Sequence, residues 1–230
     1  TKIIIQEVYS GQFSLTNFYE RRIRRIFPAL FTTIVLTTAI STYLFDPNVF
    51  FEFSKSLIAT TFFTSNVLFW TETGYFDAPS YLKPLLHTWS LAVEEQFYIF
   101  FPLLILIIFR FFKNKLKLTL IVTAVLSFIL SAYFVQKEPS TAFYLAPLRA
   151  WELLIGSILA VNIIPAKFKP EYRNLLGIAG ITMILFSVFT YTENTAFPGI
   201  SASLPVFGAA FIIYSGVEGN IFTTQILGAR

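Results

Sequence analysis

The densest run of chemically capable side chains is PLLHTWSLAVEEQFY at residues 84–98. Glu94 lies where this run enters an apolar stretch. An ionised carboxylate at mid-bilayer costs about 2.5–3.5 kcal/mol on insertion scales, so such a group normally faces the bundle interior beside a partner. His87 and Arg149 are the candidate partners. This pattern indicates an interior polar site around Glu94, although the lone His87, taken by itself, is more often structural.

A simpler interpretation of the same run is helix capping. If the helix begins at Leu91, Ser90 is its N-cap and Glu94 supports it from the first turns. On that helix Ser90 and Glu94 share a face, whereas Glu95 points elsewhere. We therefore expect Glu95→Gln to have little effect. Trp89 is expected to be an interfacial aromatic.

A second polar pair, Arg149 and Glu152, lies three residues apart inside another apolar segment. The spacing allows an ion pair that neutralises both side chains and has no further role. The alternative is a polar site inside the helix bundle, used by a substrate. The sequence leaves both interpretations open.

Four arginines precede the first long apolar segment, namely Arg21, Arg22, Arg24 and Arg25. Basic residues beside a spanning helix commonly act only as topology anchors. Arginine forks also match phosphate oxygens, and a helix N-terminus adds to the attraction. The run is therefore either an anchor or a phosphate-binding site.

Composition limits the class of protein that these residues serve. The 230 residues are 55% hydrophobic and 13% charged, against about 25% charged in soluble domains. Cysteine is absent and histidine occurs once, so thiol nucleophiles are excluded and we expect no metal site. We also expect no nucleic-acid partner. The chain is expected to lie in membrane lipid as a multi-pass protein.

Seven apolar segments predict an all-α, polytopic transmembrane helical bundle. A spanning helix needs about 20 residues. Phe53–Trp70 is the most polar segment, so we predict about six spanning helices plus one re-entrant or interfacial helix there. The segments are Phe27–Phe45, Phe53–Trp70, Leu91–Phe109, Leu118–Val135, Phe143–Ile164, Leu175–Tyr191 and Ser201–Tyr214.

Basic residues cluster at three places along the chain, which predicts the orientation. With Phe53–Trp70 not crossing, the positive-inside rule places all three clusters in the cytoplasm. Glu94 and His87 then lie towards the outer side. The clusters are Arg21–Arg25, then Arg110, Lys113, Lys115 and Lys117, then Lys167, Lys169 and Arg173.

Three motifs, in order, resemble the acyltransferase-3 family of bacterial integral-membrane O-acyltransferases. They are FYERRIRRIFP at 18–28, HTWSLxxEEQFY at 87–98 and LRAWELLxG at 148–156. Members acylate peptidoglycan, lipopolysaccharide O-antigen or exopolysaccharide in the cell envelope. The segment around Phe197-Pro-Gly199 and Pro205 looks like a subgroup that often carries a C-terminal SGNH-type domain.

The resemblance assigns roles residue by residue. The family's Arg-x-x-Arg motif maps onto Arg22 and Arg25, implying that they bind acetyl-CoA; Arg21 and Arg24 give a second register. Its Trp-Ser-Leu-x-x-Glu motif maps onto Trp89, Ser90 and Glu94, and the resemblance implies that Glu94 and His87 are the catalytic candidates. Its later Arg and Gly map onto Arg149 and Gly156.

Family members also have a first helix with a His widely regarded as catalytic, and further helices at the other end. Residues 1–230 are therefore expected to be one acyltransferase domain, incomplete at both ends and inactive as it stands.

The implied reaction moves an acyl group, most simply acetyl, from cytoplasmic acyl-CoA to a hydroxyl of an extracytoplasmic cell-envelope glycan. The expected location is the bacterial inner membrane. Two alternatives stay open on the residues: a transporter or flippase of a lipid-linked saccharide, using Glu94, Arg149 and Glu152 as a polar path, and a non-catalytic membrane scaffold.

Overall fold

A computed structural model describes residues 1–73, 82–111, 115–161 and 170–216, excepting the side chains at 170 and 171. Across these residues the secondary structure is helical, without strands. The helices are α1 (Lys2–Tyr9), α2 (Leu15–Leu44), α3 (Pro47–Thr61), α4 (Ser65–Glu72), α5 (Thr88–Phe111), α6 (Leu116–Lys137), α7 (Pro139–Tyr144), α8 (Ala146–Ala160), α9 (Pro170–Thr190) and α10 (Gly199–Ser215).

Within the described ranges, four helices are long and apolar enough to cross a membrane: α2, α5, α6 and α9. This confirms the all-α membrane fold class. The prediction of about six spans is only partly matched, because α8 has 15 residues and α10 has 17. At 1.5 Å per residue these helices fall short of a hydrocarbon core about 30 Å thick.

The helix that carries the arginine run begins earlier than its apolar stretch suggested. α2 starts at Leu15, where the Ser14 side chain accepts a hydrogen bond from the Asn17 backbone N–H at 3.3 Å. Pro28 lies inside the helix. Arg22 and Arg25 therefore lie two to three turns beyond the N-terminus. Because the helix dipole acts only within the first turn, it adds nothing to anion binding there, contrary to the expectation.

The segment predicted not to span is indeed broken. α3 ends at Thr61 and α4 begins at Ser65, with Phe63 between them at a φ of 54°. A positive φ is uncommon for a bulky residue, and a buried polar contact described below holds it in place. The prediction that Phe53–Trp70 does not form one spanning helix is confirmed.

The described residues divide into two compact units. The first contains residues 3–107 and 144–146, hence α1 to α4 and most of α5. Its buried core includes Phe53, Phe69, Leu85 and Phe101. The second contains the described parts of 1–2, 108–143 and 147–230, hence α6, most of α7, and α8 to α10.

In the second unit, α9 and α10 pack closely at two glycines. A Cβ on Gly180 would lie 2.5 Å from the carbonyl oxygen of Gly208, and a Cβ on Gly208 would lie 2.8 Å from that of Gly180. Small residues at this crossing permit the backbone approach that drives helix association in lipid. Arg173 is buried and donates from Nη2 to the carbonyl oxygen of Ser215 at 2.8 Å. Arg173 thus helps to cap α10 and is more than a surface anchor.

A serine of α6 is inserted into the first turn of α8. The Ser127 hydroxyl donates to the carbonyl oxygen of Pro147 at 2.6 Å and accepts from the backbone N–H of Trp151 at 3.0 Å. An α-helix would pair these two backbone groups directly. The bridge fixes the turn that carries Arg149. The predicted cytoplasmic residues Lys113, Lys167 and Lys169 lie outside the described residues.

Candidate active site

Arg22 is held on two sides by α5. Its Nη2 donates to Oε1 of Glu95 at 2.8 Å, with the two side chains 20% and 10% exposed. Its guanidinium carbon lies 3.3 Å from the centroid of the Tyr98 ring. Glu95 and Tyr98 are three residues apart, so they share a face of α5. One carboxylate edge and one aromatic face therefore fix a mostly buried guanidinium.

The contact corrects two expectations. Glu95 was expected to point away from any site, yet it is the carboxylate that meets Arg22. The arginine run and the start of α5 were expected near opposite membrane faces, but a 2.8 Å contact places Arg22 beside Glu95. The reason is that hydropathy orients each segment separately and does not detect a polar contact between two helices.

The other arginines of α2 differ in their surroundings. Arg21 pairs with Glu7 at 3.2 Å and Arg24 with Glu20 at 2.7 Å, and both guanidiniums are exposed. Arg25 is exposed and forms no ion pair with any residue that the structure describes. Local carboxylates thus occupy the Arg21/Arg24 register. The Arg22/Arg25 register combines one fixed guanidinium with one that is available.

α5 carries a second polar face, built from His87, Ser90 and Glu94. All three residues are exposed, and their spacing of three and four residues places them along one side of the helix start. Glu94 is exposed and forms no ion pair with His87 or with any other described residue of its own compact unit. The expectation of an interior Glu94 paired with His87 is therefore wrong for the described part of the chain.

The capping interpretation of Ser90 is also wrong. α5 begins at Thr88, so Ser90 lies inside its first turn, and its hydroxyl donates to the carbonyl oxygen of His87 at 3.2 Å. A cap would instead accept a hydrogen bond from a backbone N–H. Ser90 and Glu94 are therefore left on the exposed face of α5, one turn apart, with no capping role that accounts for them.

A pair of amide side chains, one of them fully buried, fixes α5 beside the site. Gln96 Nε2 donates to Asn66 Oδ1 at 2.8 Å and to the carbonyl oxygen of Phe63 at 2.9 Å. Asn66 Nδ2 donates to the carbonyl oxygen of Tyr144 at 3.0 Å. The Tyr144 ring packs edge-on against Trp89, with centroids 5.6 Å apart. Trp89 therefore supports the start of α5 by packing within the protein.

Arg149 and Glu152 form a closed pair in α8. Arg149 donates from Nε and Nη2 to the two carboxylate oxygens of Glu152 at 3.0 and 2.9 Å. The rings of Phe143 and Phe197 lie 5.6 and 5.8 Å from its guanidinium carbon. This geometry favours the mutually neutralising interpretation over an open polar path. Both residues belong to the second compact unit.

The sequence reasoning missed Glu95, Tyr98, Asn66 and Gln96. One signal was available: Glu95 and Tyr98 lie at a spacing that puts a carboxylate and a ring on one helix face. Asn66 and Gln96 are 30 residues apart, and nothing in the local pattern indicates that two amides at such a distance meet.

Comparison with known proteins places these motifs in a family. Residues 5–225 match the acyltransferase-3 family, which is described as an acyltransferase domain. An uncharacterised protein of Haemophilus influenzae is 38% identical over 96% of this chain and 95% of its own length. No solved structure matches.

Two relatives are named for an activity. The O-acetyltransferase OatA of Staphylococcus aureus is 29% identical over 100% of this chain and 40% of its own length. The peptidoglycan O-acetyltransferase OatA of Listeria monocytogenes is 33% identical over 83% of this chain and 32% of its own length. The chain thus spans well under half of these longer relatives. The chain belongs to the acyltransferase-3 family and is an acyltransferase domain of a multi-pass helical membrane protein.

Proposed function

We propose that the chain transfers an acetyl group from acetyl-CoA to a hydroxyl of a cell-envelope glycan in the bacterial inner membrane, with peptidoglycan as the acceptor. The names of the OatA relatives support the acetyl group and this acceptor. Lipopolysaccharide and exopolysaccharide are the acceptors that a negative result with peptidoglycan would leave for testing. The SGNH-type partner domain stays a prediction.

The observation that carries the proposal is that two arginines lie one turn apart on α2, one held in place and the other exposed. Arg22 is clamped by Glu95, and Arg25, one turn further on, is exposed and unpaired among the described residues. A CoA molecule presents several phosphate oxygens, which guanidinium forks bind bidentately. Both arginines would hold the donor from the cytoplasmic side.

The exposed polar face of α5 supplies the candidates for the chemical step. The acceptor hydroxyl oxygen attacks the thioester carbonyl and its proton passes to a general base. The C–S bond then breaks, and the CoA thiolate leaves and takes up that proton to become the thiol. A carboxylate or an imidazole can accept that proton. Glu94 and His87 are exposed on that face and keep these proposed roles. Ser90 lies between them.

The second polar pair does not favour the transporter alternative. Arg149 is closed onto Glu152 by two hydrogen bonds and lies near two aromatic rings. A substrate path would need these charges to be accessible. We assign the pair a structural role, and movement of a labelled lipid-linked saccharide without acetylation would overturn that assignment.

The test uses the intact protein in membranes with radiolabelled acetyl-CoA and peptidoglycan fragments. Arg25→Lys keeps the charge but loses the fork. It should raise the apparent KM for acetyl-CoA about tenfold, because a charged hydrogen bond contributes about 1.5–3 kcal/mol and 1.4 kcal/mol is tenfold. Arg21→Lys is the matched control and should match the wild type. Equal kinetics for all three proteins would leave the arginine run as a topology signal only.

A further inference from the structure

Glu95 is the residue of the site that neither the motifs nor the composition assigned. We propose that Glu95, together with Tyr98, is a positioning residue that holds the Arg22 guanidinium in the orientation required for binding the acyl donor. This inference rests on the proposed function. It assigns the second carboxylate of the Glu94–Glu95 pair to donor binding, apart from any role of Glu94 in proton transfer.

The geometry restrains Arg22 in both of the directions that matter for a planar group. The Glu95 carboxylate accepts a hydrogen bond from Nη2 at 2.8 Å. The Tyr98 ring covers one face, at 3.3 Å from the guanidinium carbon. A flexible four-bond side chain therefore has one preferred orientation. The conformational entropy of the Arg22 side chain is therefore lost on folding, and an anion that binds to the guanidinium does not have to order it.

One nitrogen of the Arg22 side chain is left unsatisfied. Its Nε is buried and has no hydrogen-bond partner within the described portion of the chain. A buried donor left unsatisfied costs about 1–3 kcal/mol. Packing within the described residues therefore does not by itself account for this orientation of Arg22. Its side chain is 20% exposed, which leaves part of it accessible to an anion.

The position of Glu95 is itself fixed by its neighbour. Gln96 is bonded to Asn66 Oδ1 and to the carbonyl oxygen of Phe63, so rotation of α5 about its axis is restrained at the next residue. On α2, the Tyr19 hydroxyl donates to the carbonyl oxygen of Ile99 at 2.9 Å. The contact that positions Arg22 is thus flanked by hydrogen bonds on both helices.

The experiment measures CoA binding and acetyl transfer side by side in purified, membrane-reconstituted intact protein. Glu95→Gln keeps the size and removes the charge. We expect the dissociation constant for CoA and the KM for acetyl-CoA to rise about tenfold, with kcat within about twofold of the wild type. Tyr98→Leu should raise KM similarly, and Tyr98→Phe, which retains the ring, should restore it. Because Glu95→Gln affects a buried pair, the Tyr98 variants keep the test valid if that protein fails to fold.

The matched control is Glu20→Gln, which removes the carboxylate from the exposed Arg24 pair on the same helix. It should leave KM unchanged. Combining Glu95→Gln with Arg22→Lys tests the route: if Glu95 acts through Arg22, the double variant should be no worse than Arg22→Lys alone.

Three results would overturn the inference while the proposed function stands: an active Glu95→Gln protein with wild-type KM, a fall in kcat alone, or fully additive losses in the double variant. Wild-type protein that binds CoA but transfers no acetyl group would overturn the proposed function. The CoA dissociation constants of the Glu95 and Tyr98 variants would still test the inference in that case. Wild-type protein that does not bind CoA would overturn both.

Discussion

Asn66 is the residue whose truncation should most disturb the region around the site. Its side chain is fully buried, with 0% exposure. Its amide exchanges hydrogen bonds with Gln96 at 2.8 and 3.3 Å and donates to the carbonyl oxygen of Tyr144 at 3.0 Å. Asn66→Ala removes all three contacts. It also leaves a void where α4, α5 and the end of α7 meet.

The expected loss follows from two magnitudes. Hydrogen bonds between helices within a membrane protein average about 0.6 kcal/mol, with a maximum near 1.7. Three such bonds give about 2 kcal/mol. Gln96 keeps its bond to the carbonyl oxygen of Phe63, so only part of its amide is left unsatisfied. We therefore expect Asn66→Ala to lower the free energy of unfolding by about 2–3 kcal/mol.

The assay is reversible unfolding of the purified protein in mixed micelles, followed by circular dichroism. Asn17→Ala is the matched control, since Asn17 is exposed on α2 and its backbone N–H, which bonds Ser14, is retained. It should change stability by no more than about 0.5 kcal/mol. If Asn66→Ala and Asn17→Ala had the same free energy of unfolding, the amide pair would not stabilise the packing of α4 against α5, and the reasoning would be refuted.

The same pair predicts coupling between its members. Gln96→Ala alone should also destabilise the protein, and the double variant should lose less than the sum of the two single losses, by about 0.5–3 kcal/mol. Additive losses would mean that the two amides act independently of each other.

The remaining predictions concern packing and topology. Gly208→Ala should destabilise the α9–α10 contact by about 1–3 kcal/mol, because its Cβ would lie 2.8 Å from the carbonyl oxygen of Gly180. The control in the same unfolding assay is Gly156→Ala, whose Cβ would meet nothing within 4 Å. Equal losses of stability in the two variants would contradict this packing. A cysteine introduced at Lys115 should react with a membrane-impermeant thiol reagent in intact cells, whereas one at Gln12 should resist it, because Arg22, proposed to bind the donor from the cytoplasmic side, lies beside Glu95 near the start of α5, and α5 is long enough to cross. Equal reaction at the two positions would contradict a crossing by α5, and the absence of native cysteine keeps both readouts free of background.

Several features were predictable because they depend on the local sequence. Low charge and long apolar segments indicate a helical membrane protein whatever the packing, because every backbone polar group in lipid must be satisfied within a helix. The polarity of Phe53–Trp70 predicted that this segment does not form one spanning helix, and the structure breaks it between α3 and α4. The three motifs pointed to the acyltransferase-3 family, which residues 5–225 match.

Helix limits were predicted less well, for a physical reason. Hydropathy marks the part of a helix that lies in lipid, whereas the helix itself continues while caps and side-chain contacts support it. α2 thus begins at Leu15, at the Ser14 cap, well before Phe27. In contrast, α8 begins at Ala146, because the segment predicted as one span is interrupted at Leu145.

Only the tertiary structure decided which carboxylate meets the arginine run. Helical periodicity shows that Glu94 and Glu95 point about 100° apart, but it does not show which of the two faces another helix. In lipid, apolar side chains give little preference for one rotation over another, so polar and small-residue contacts select the packed faces. The Gln96–Asn66 pair fixes α5 so that Glu95 lies against Arg22 and Glu94 is exposed. The sequence alone determined a helical membrane acyltransferase with its arginine and glutamate motifs, and the contacts between distant helices determined which members of those motifs meet.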